Sequence, residues 1–208
     1  MQTTAASALI PPTMRVFERG WLSSNNVLLF DDEAAATLVD TGYVNHRMQT
    51  LALVQSALGG RKLTRILNTH LHSDHCGGNA YLQRATGARI AIPPGHADAV
   101  GRWDEDRLSF RATGQKCERF AHDDVLQPGE TVHMGERDWQ VFAAPGHDPH
   151  SIVLWDAADR VLISADALWQ HGFGAIFPEI EGDSGFTERE ALLDLLAGPH
   201  PKPDIPAP

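Results

Sequence analysis

The chain has 208 residues, with 17 Lys or Arg against 27 Asp or Glu, a formal net charge of −10 with histidine neutral, and a hydrophobic share of 42%. One core fits this length at about 100–200 residues per domain. The acidic balance, with no block of Lys or Arg, argues against sequence-independent nucleic-acid binding, which needs a basic surface to displace counterions. No run approaches the roughly 18 apolar residues that suggest a membrane span.

Residues 1–12 are rich in Ala, Thr and Ser, with no basic flank and no long apolar stretch. They read as a loose tail rather than a signal peptide. Val16-Phe17, Asn26 to Phe30 and Ala36 to Asp40 then read as successive antiparallel strands, with Asp31-Asp32-Glu33 as a turn. Asn45 to Leu58 carries Met48, Leu51, Val54 and Leu58 at helical spacing, and Gly59-Gly60 stops it. Residues 63–69 are apolar and β-branched, the pattern of a strand. A helix-like run from Asn79 to Ala85 follows the segment after that strand, and Ala88 to Ile92 is a further strand closed by Pro93-Pro94.

Residues 95–117 are charged and partly helical in pattern, with Trp103 to Arg107 as a solvated face. A meander of short strands follows, punctuated at Gly129 to Thr131, Gly135 to Arg137 and Asp156 to Asp159. Two of its strands end in ionisable groups: Trp139 to Ala143 runs into Ala144-Pro145-Gly146-His147, and Leu162 to Asp166 ends in a carboxylate. Thr187 to Ala197 is helix-like. The last eleven residues, 198–208, hold five prolines and cannot form a central strand, because proline lacks the donor N–H and fixes φ. The expected organisation is a domain over 13–197 between two tails, 1–12 and 198–208.

The chemistry concentrates in His70-Leu71-His72-Ser73-Asp74-His75, at the carboxyl end of a strand, where α/β proteins place functional loops. Neutral imidazole and carboxylate suit Zn²⁺ and some other divalent first-row metals. His70 and His72 are two apart and point the same way in extended backbone. Asp74 and His75 follow after the chain begins to turn, so they can address a second position nearby. Gly77 and Gly78 allow the tight bend into a helix. His147 and Asp166 are the further ligand candidates. Cys76 and Cys117, the two cysteines, provide no disulfide framework and fit a reducing cytoplasm; Cys76 reads as a small buried side chain beside the metal loop, with a ligand or redox role as the alternative, and Cys117 reads as structural or incidental. His46, His96, His122 and His133 lie away from these motifs and read as surface or capping residues.

In these motifs the chain resembles the metallo-β-lactamase-fold hydrolases, in particular their glyoxalase-II-like branch. His70, His72, Asp74 and His75 match H-x-H-x-D-H, Gly146-His147 matches the later Gly-His element, Asp166 matches the later bridging Asp, and Leu38-Val39-Asp40-Thr41-Gly42 matches the upstream strand and Asp-Thr-Gly. The resemblance runs from about residue 15 to about residue 195. It implies an αββα sandwich, an α/β (α+β) fold of two mixed β-sheets with outer helices. It also implies a binuclear site: His70, His72 and His147 on one metal, Asp74, His75 and Asp166 on the other with Asp166 bridging, and Asp40 supporting from behind.

The pattern departs from the family at its end. The family's last ligand, a His in a Pro-Gly-His element after a further helix and strand, has no counterpart; His200 stands in an unmatched context. The fold is therefore expected to be C-terminally incomplete, with a weakened second metal site and an uncovered edge through which copies could associate. The implied function is metal-dependent hydrolysis of a small ester, thioester or lactone by a metal-bound hydroxide, with Asp74 as orienter or proton shuttle. The implied partner is a small-molecule acyl substrate, with no nucleic acid or membrane, and the implied cofactor is Zn²⁺, with Fe²⁺ or Mn²⁺ as alternatives. An iron-dependent persulfide-dioxygenase-like enzyme and a non-catalytic metal-binding remnant are the alternative readings. His150, Trp169 and Phe173 are candidate pocket residues: His150 faces either a pocket or a loop partner, and the two aromatics line either a pocket mouth or the core.

Overall fold

The structure is a computed structural model that describes residues 10–20, 22–169, 171–181 and 184–197. The expected tail 198–208 and its His200, and most of the expected tail 1–12, lie outside the described residues.

Three strands open the chain: β1 (Met14–Phe17), β2 (Asn26–Phe30) and β3 (Ala35–Val39). Helix α1 (Arg47–Ala57) leads to β4 (Lys62–Leu67), followed by the short helix α2 (Ser73–Cys76), α3 (Asn79–Thr86) and β5 (Arg89–Ile92). Two short helices, α4 (Ala97–Arg102) and α5 (Phe110–Thr113), precede β6 (Asp124–Val125). A meander follows in β7 (Thr131–Met134), β8 (Arg137–Ala143), β9 (Ile152–Asp156) and β10 (Val161–Ile163), and the described chain closes with α6 (Pro178–Glu181) and α7 (Phe186–Ala197).

The strands form two sheets, ordered β1-β2-β3-β4-β5-β6 and β10-β9-β8-β7. The first is mixed: β1, β2 and β3 pair antiparallel, while β3 to β6 pair parallel through helical crossovers. The second pairs antiparallel throughout its described strands, where a mixed sheet was expected. The reason is local. Its strands are joined by connections far shorter than the dozen or more residues that a parallel crossover needs.

Period-2 alternation divides each strand between two layers. Leu28, Leu38, Ile66, Ile90 and Ile92 face Val54, Leu82 and Val100 on the helices. Their neighbours Leu29, Val39, Leu67 and Ala91 face Trp139, Val141, Ile152 and Leu154 of the second sheet. On that sheet's far side, Phe142 and Val153 pack with Leu192 of α7. This is the expected αββα sandwich. Fully burying one Leu, Ile or Val side chain stabilises the fold by about 1.5–3 kcal/mol before entropy is counted, so these three layers outweigh any single surface pair.

Two elements differ locally from expectation. The helix over 45–58 begins with a 3-10 turn at Val44–His46, and Met48, which matched its apolar spacing, is 66% exposed while Val54 is fully buried. The strand expected over 162–166 ends at Ile163, and Asp166 sits in a 3-10 turn, Ala165–Ala167, whose first residue has φ +43°.

Candidate metal centre

The site forms where β3, β4, the β8–β9 connection and the turn after β10 converge at one end of the sandwich. Each contributes from just beyond its last paired residue. Asp40 follows β3 with φ +57°, a left-handed conformation that Asp tolerates better than most residues. Its carboxylate is buried and fully engaged. Oδ1 accepts the Thr69 N–H at 2.9 Å, and Oδ2 accepts the Thr69 hydroxyl at 2.7 Å and the His75 Nδ1–H at 2.8 Å.

His70 lies three residues beyond β4, with its ring buried against His75 at 3.9 Å between centroids. His72 directly precedes α2, which carries Asp74 and His75. The conformation of α2 requires Gly77 just after it: a Cβ there would sit 2.4 Å from the Ser73 carbonyl and 2.5 Å from the Val44 nitrogen. His147 follows Gly146, whose φ is +132°. The His147 Nδ1–H donates to the Ala175 carbonyl, which can only accept. That bond leaves the Nε2 lone pair aimed inward, 2.9 Å from His72 Nδ1 and 3.2 Å from Asp166 Oδ2.

Two sets of three ligand atoms converge, each set within 4.8 Å: His70, His72 and His147, and His70, His75 and Asp166. The expected Asp74 belongs to neither set. Its carboxylate lies 3.8 Å from His75 Nε2 and lines the adjoining cavity. His70 Nε2 and His75 Nε2 are buried with no hydrogen-bond partner among the described residues. A buried imidazole nitrogen left unpaired is costly, whereas a metal ligand needs that lone pair free. The donor set fits a divalent metal of the zinc type.

The electrostatics fit as well. Burial, then the neighbouring His75, His72 and His147, hold the His70 pKa well below the ordinary value. For His75 burial acts downward, but the Asp40 charge and hydrogen bond, with the Asp166 and Asp74 carboxylates close to Nε2, outweigh it and hold the pKa well above the ordinary value. Burial acts upward on Asp166, yet the adjoining His147 and His75 imidazoles hold it far below the usual carboxylate range.

Several contributing groups escaped the sequence reading. Thr69 links Asp40 to the metal loop. Asp148 is buried, its carboxylate 3.9 Å from His72 Nε2 and accepting the His150 N–H at 2.6 Å. Arg189 of α7 is buried and donates to the carbonyls of Ala167, Asp166 and Gly174, which fixes the turn that presents Asp166. An acidic residue beside Gly-His was a legible hint for Asp148. Nothing in the pattern of α7 marked Arg189.

The three candidate pocket residues separate. Trp169 lines the cavity, half-exposed, and its indole N–H donates to Asp166 Oδ1 at 3.1 Å. His150 turns to a loop partner instead: its ring meets His96 edge-on at 4.5 Å, and a Cβ on Gly95 would overlap it. Phe173 lies under the Arg189 guanidinium, 4.6 Å from ring centroid to Cζ. The cavity in front of the cluster measures about 960 Å³. His72, Asp74, His75, His147 and Asp166 form its polar floor, and Val16, Leu22, Leu168, Trp169, Phe177 and Ile180 are among its apolar wall.

Comparison with known proteins agrees with this arrangement. Residues 19–203 match the family described as the metallo-beta-lactamase superfamily. A hydroxyacylglutathione hydrolase of Gloeobacter violaceus is 34% identical over 164 residues, covering 79% of this chain and 57% of that protein. One of Rhodospirillum rubrum is 30% identical over 175 residues, covering 83% and 58%. The chain thus spans less than two thirds of the length of either relative. Among solved structures, BLEG-1 B3 metallo-beta-lactamase superposes with a TM-score of 0.67 at 24% identity, over 87% of this chain and 83% of that one. The native FEZ-1 metallo-beta-lactamase from Legionella gormanii gives 0.68 at 16% identity, over 88% and 72%. At those identities the likeness establishes the fold.

Proposed function

This chain belongs to the metallo-beta-lactamase superfamily, and from that premise we propose that it hydrolyses a small thioester with the help of divalent metal, zinc by preference. The observation that carries the reading is the pair of buried nitrogens, His70 Nε2 and His75 Nε2, that have no hydrogen-bond partner among the described residues, with His75 at the floor of the adjoining cavity and His70 packed behind it. His70, His72 and His147 would hold one metal. His75 and Asp166 would serve a second, with Asp166 Oδ2 between His147 Nε2 at 3.2 Å and His75 Nε2 at 3.5 Å. Bound there, such a metal supplies a Lewis acid for the carbonyl and lowers the pKa of water from 15.7 toward about 7.

The chain's own groups supply the rest. Asp40 holds the proton on His75 Nδ1, and the Ala175 carbonyl holds the proton on His147 Nδ1, so the opposite nitrogens face the site. Trp169 fixes one oxygen of Asp166. The Asp74 carboxylate, facing the cavity beside His75, is placed to take a proton from the attacking water. A thiolate leaves readily because its thiol has a pKa near about 8.5, so no strong general acid is needed. The apolar wall suits the acyl part of the substrate. Both cysteines are free, which suits a reducing compartment, and a cytoplasmic location is part of the proposal. No helix among the described residues is long and apolar enough to cross a membrane.

The hydroxyacylglutathione thioester named for the relatives is the first substrate to assay, beside a neutral short-chain acyl thioester. Hydrolysis lost on chelation and restored by Zn²⁺ supports the reading. Metal-replete, folded protein that cleaves neither thioester overturns it.

A further inference from the structure

We propose that Cys76 and Cys117 form a reversible dithiol–disulfide pair, a modification site that pins one wall of the cavity to the metal loop. The two sulfurs lie 3.8 Å apart although the residues are 41 positions apart in sequence. Cys76 is fully buried at the end of α2, immediately after His75. Cys117 is half-buried, on a segment between α5 and β6 that has no regular secondary structure. Closing the pair to the disulfide length of about 2.05 Å asks for less than about 2 Å of movement.

That segment is anchored on both sides of Cys117, to the metal loop before it and to α1 and α3 after it. Before it, Gln115 accepts the Ser73 hydroxyl and the Lys116 N–H lies 3.4 Å from the Tyr43 hydroxyl. After it, Glu118 pairs with Arg84 at 2.6 Å and with Arg47 at 3.4 Å. The encounter of the two sulfurs is therefore built into the fold rather than left to chance diffusion of a loop.

Accessibility orders the chemistry. A peroxide reaches half-buried Cys117 first: its thiol attacks one peroxide oxygen, the O–O bond breaks, and Cys117 sulfenic acid and water form. The Cys76 sulfur then attacks the Cys117 sulfur, the S–O bond breaks, and the hydroxyl leaves with the Cys76 proton as water. In total two thiols are oxidised to one disulfide and one peroxide is reduced to two waters. A small thiol reverses the step by exchange, leaving as its own disulfide.

The movement falls on the Cys117 segment, because α2 is tied down independently. The His75 carbonyl accepts the Thr41 N–H at 2.7 Å, and the Ser73 carbonyl accepts the Gly77 N–H at 2.9 Å. Gln115 of the moving stretch lines the cavity, beside Phe110 and Thr113 of α5 to which the stretch is joined. Oxidation should thus reshape the substrate wall and leave the metal in place.

The test is hydrogen peroxide on the full, metal-loaded chain, followed by alkylation of remaining thiols and peptide mass spectrometry. The expected result is a cross-linked Cys76–Cys117 peptide that dithiothreitol releases, with metal per chain unchanged by elemental analysis. Cys117→Ser abolishes the cross-link. In Cys76→Ser, Cys117 stops at a sulfenic acid that dimedone traps. With a turned-over thioester, KM rises several-fold in the oxidised form and returns on reduction. Four results would overturn the proposal: Cys117 carried on to sulfinic acid beside a free Cys76, a cross-link between two chains through Cys117, metal lost on oxidation, or KM unmoved. The cross-link itself is read in the unsubstituted protein, so it stands apart from whether either variant folds and from which substrate is cleaved.

Discussion

Asp40 Oδ2 and His75 Nδ1 stand 2.8 Å apart, both buried, one just beyond β3 and the other within α2. This carboxylate–imidazole bond turns the opposite face of the ring, Nε2, toward Asp166. Because the same oxygen also accepts the Thr69 hydroxyl, a single carboxylate sets the geometry of both the loop that carries the histidines and one candidate ligand.

Asp40→Asn tests that bond while keeping the shape and tolerating the left-handed backbone. The amide retains one acceptor for Thr69 but removes the charge that orients His75. Metal affinity should fall about 10–100-fold. Competition with a chromogenic chelator measures it, and an affinity within twofold of the parent would show that Asp40 is only a turn residue.

Metal uptake should depend on pH through His75. Its pKa in the metal-free protein is raised, so the ring carries a proton that a metal must displace. Apparent affinity should then climb with pH until the raised pKa is passed. The stability of the metal-free protein runs the opposite way for this group. The folded state binds the proton more tightly than the unfolded one, so the contribution is full below the unfolded value near about 6.5 and is lost as pH rises through the folded value. Calorimetry in two buffers of different ionisation enthalpy counts the proton released; no release near neutral pH would refute the assignment.

Gly174→Ala should disable the centre from outside it. The added Cβ would lie 2.7 Å from the Asp166 carbonyl oxygen and 2.9 Å from His147 Nδ1, both on the ligand framework. A displacement near 1 Å is enough to cost about 100-fold in rate. Circular dichroism should stay native while metal content and thioester hydrolysis fall together.

Arg189→Met probes the strap between α7 and the Asp166 turn. It leaves the Ala167, Asp166 and Gly174 carbonyls without their shared donor. The expected cost is about 2–4 kcal/mol in urea unfolding, from several lost bonds to a charged group. Arg189→Lys should recover only part of it, since an ammonium cannot reproduce the planar fork. A loss below about 0.5 kcal/mol would assign Arg189 to the surface class.

The metal loop was legible because its logic is local. His70, His72, Asp74 and His75 fall within six residues, on a strand-loop-helix pattern that backbone periodicity alone resolves. The layered sandwich was expected from the resemblance those motifs carry, and alternation within β2 to β5 agrees with it, whereas the spacing of α1 put Met48 on the wrong face. Partnerships across the fold were not. That His70 is shared between both ligand sets while Asp74 stays on the cavity wall depends on how α2 sits against the turn after β10.

What the amino-acid order determined by itself is therefore most of the elements and the candidate ligand types at or shortly after strand ends, because propensity, period and donor chemistry act over a few residues. What only the tertiary structure decided is which distant groups meet. Arg189 reaches back 23 positions to Asp166, His147 finds the Ala175 carbonyl, His150 turns to His96 instead of the cavity, and Cys117 comes to rest 3.8 Å from Cys76. Those meetings follow from packing two sheets and their helices at fixed separations, a constraint that no window of sequence contains.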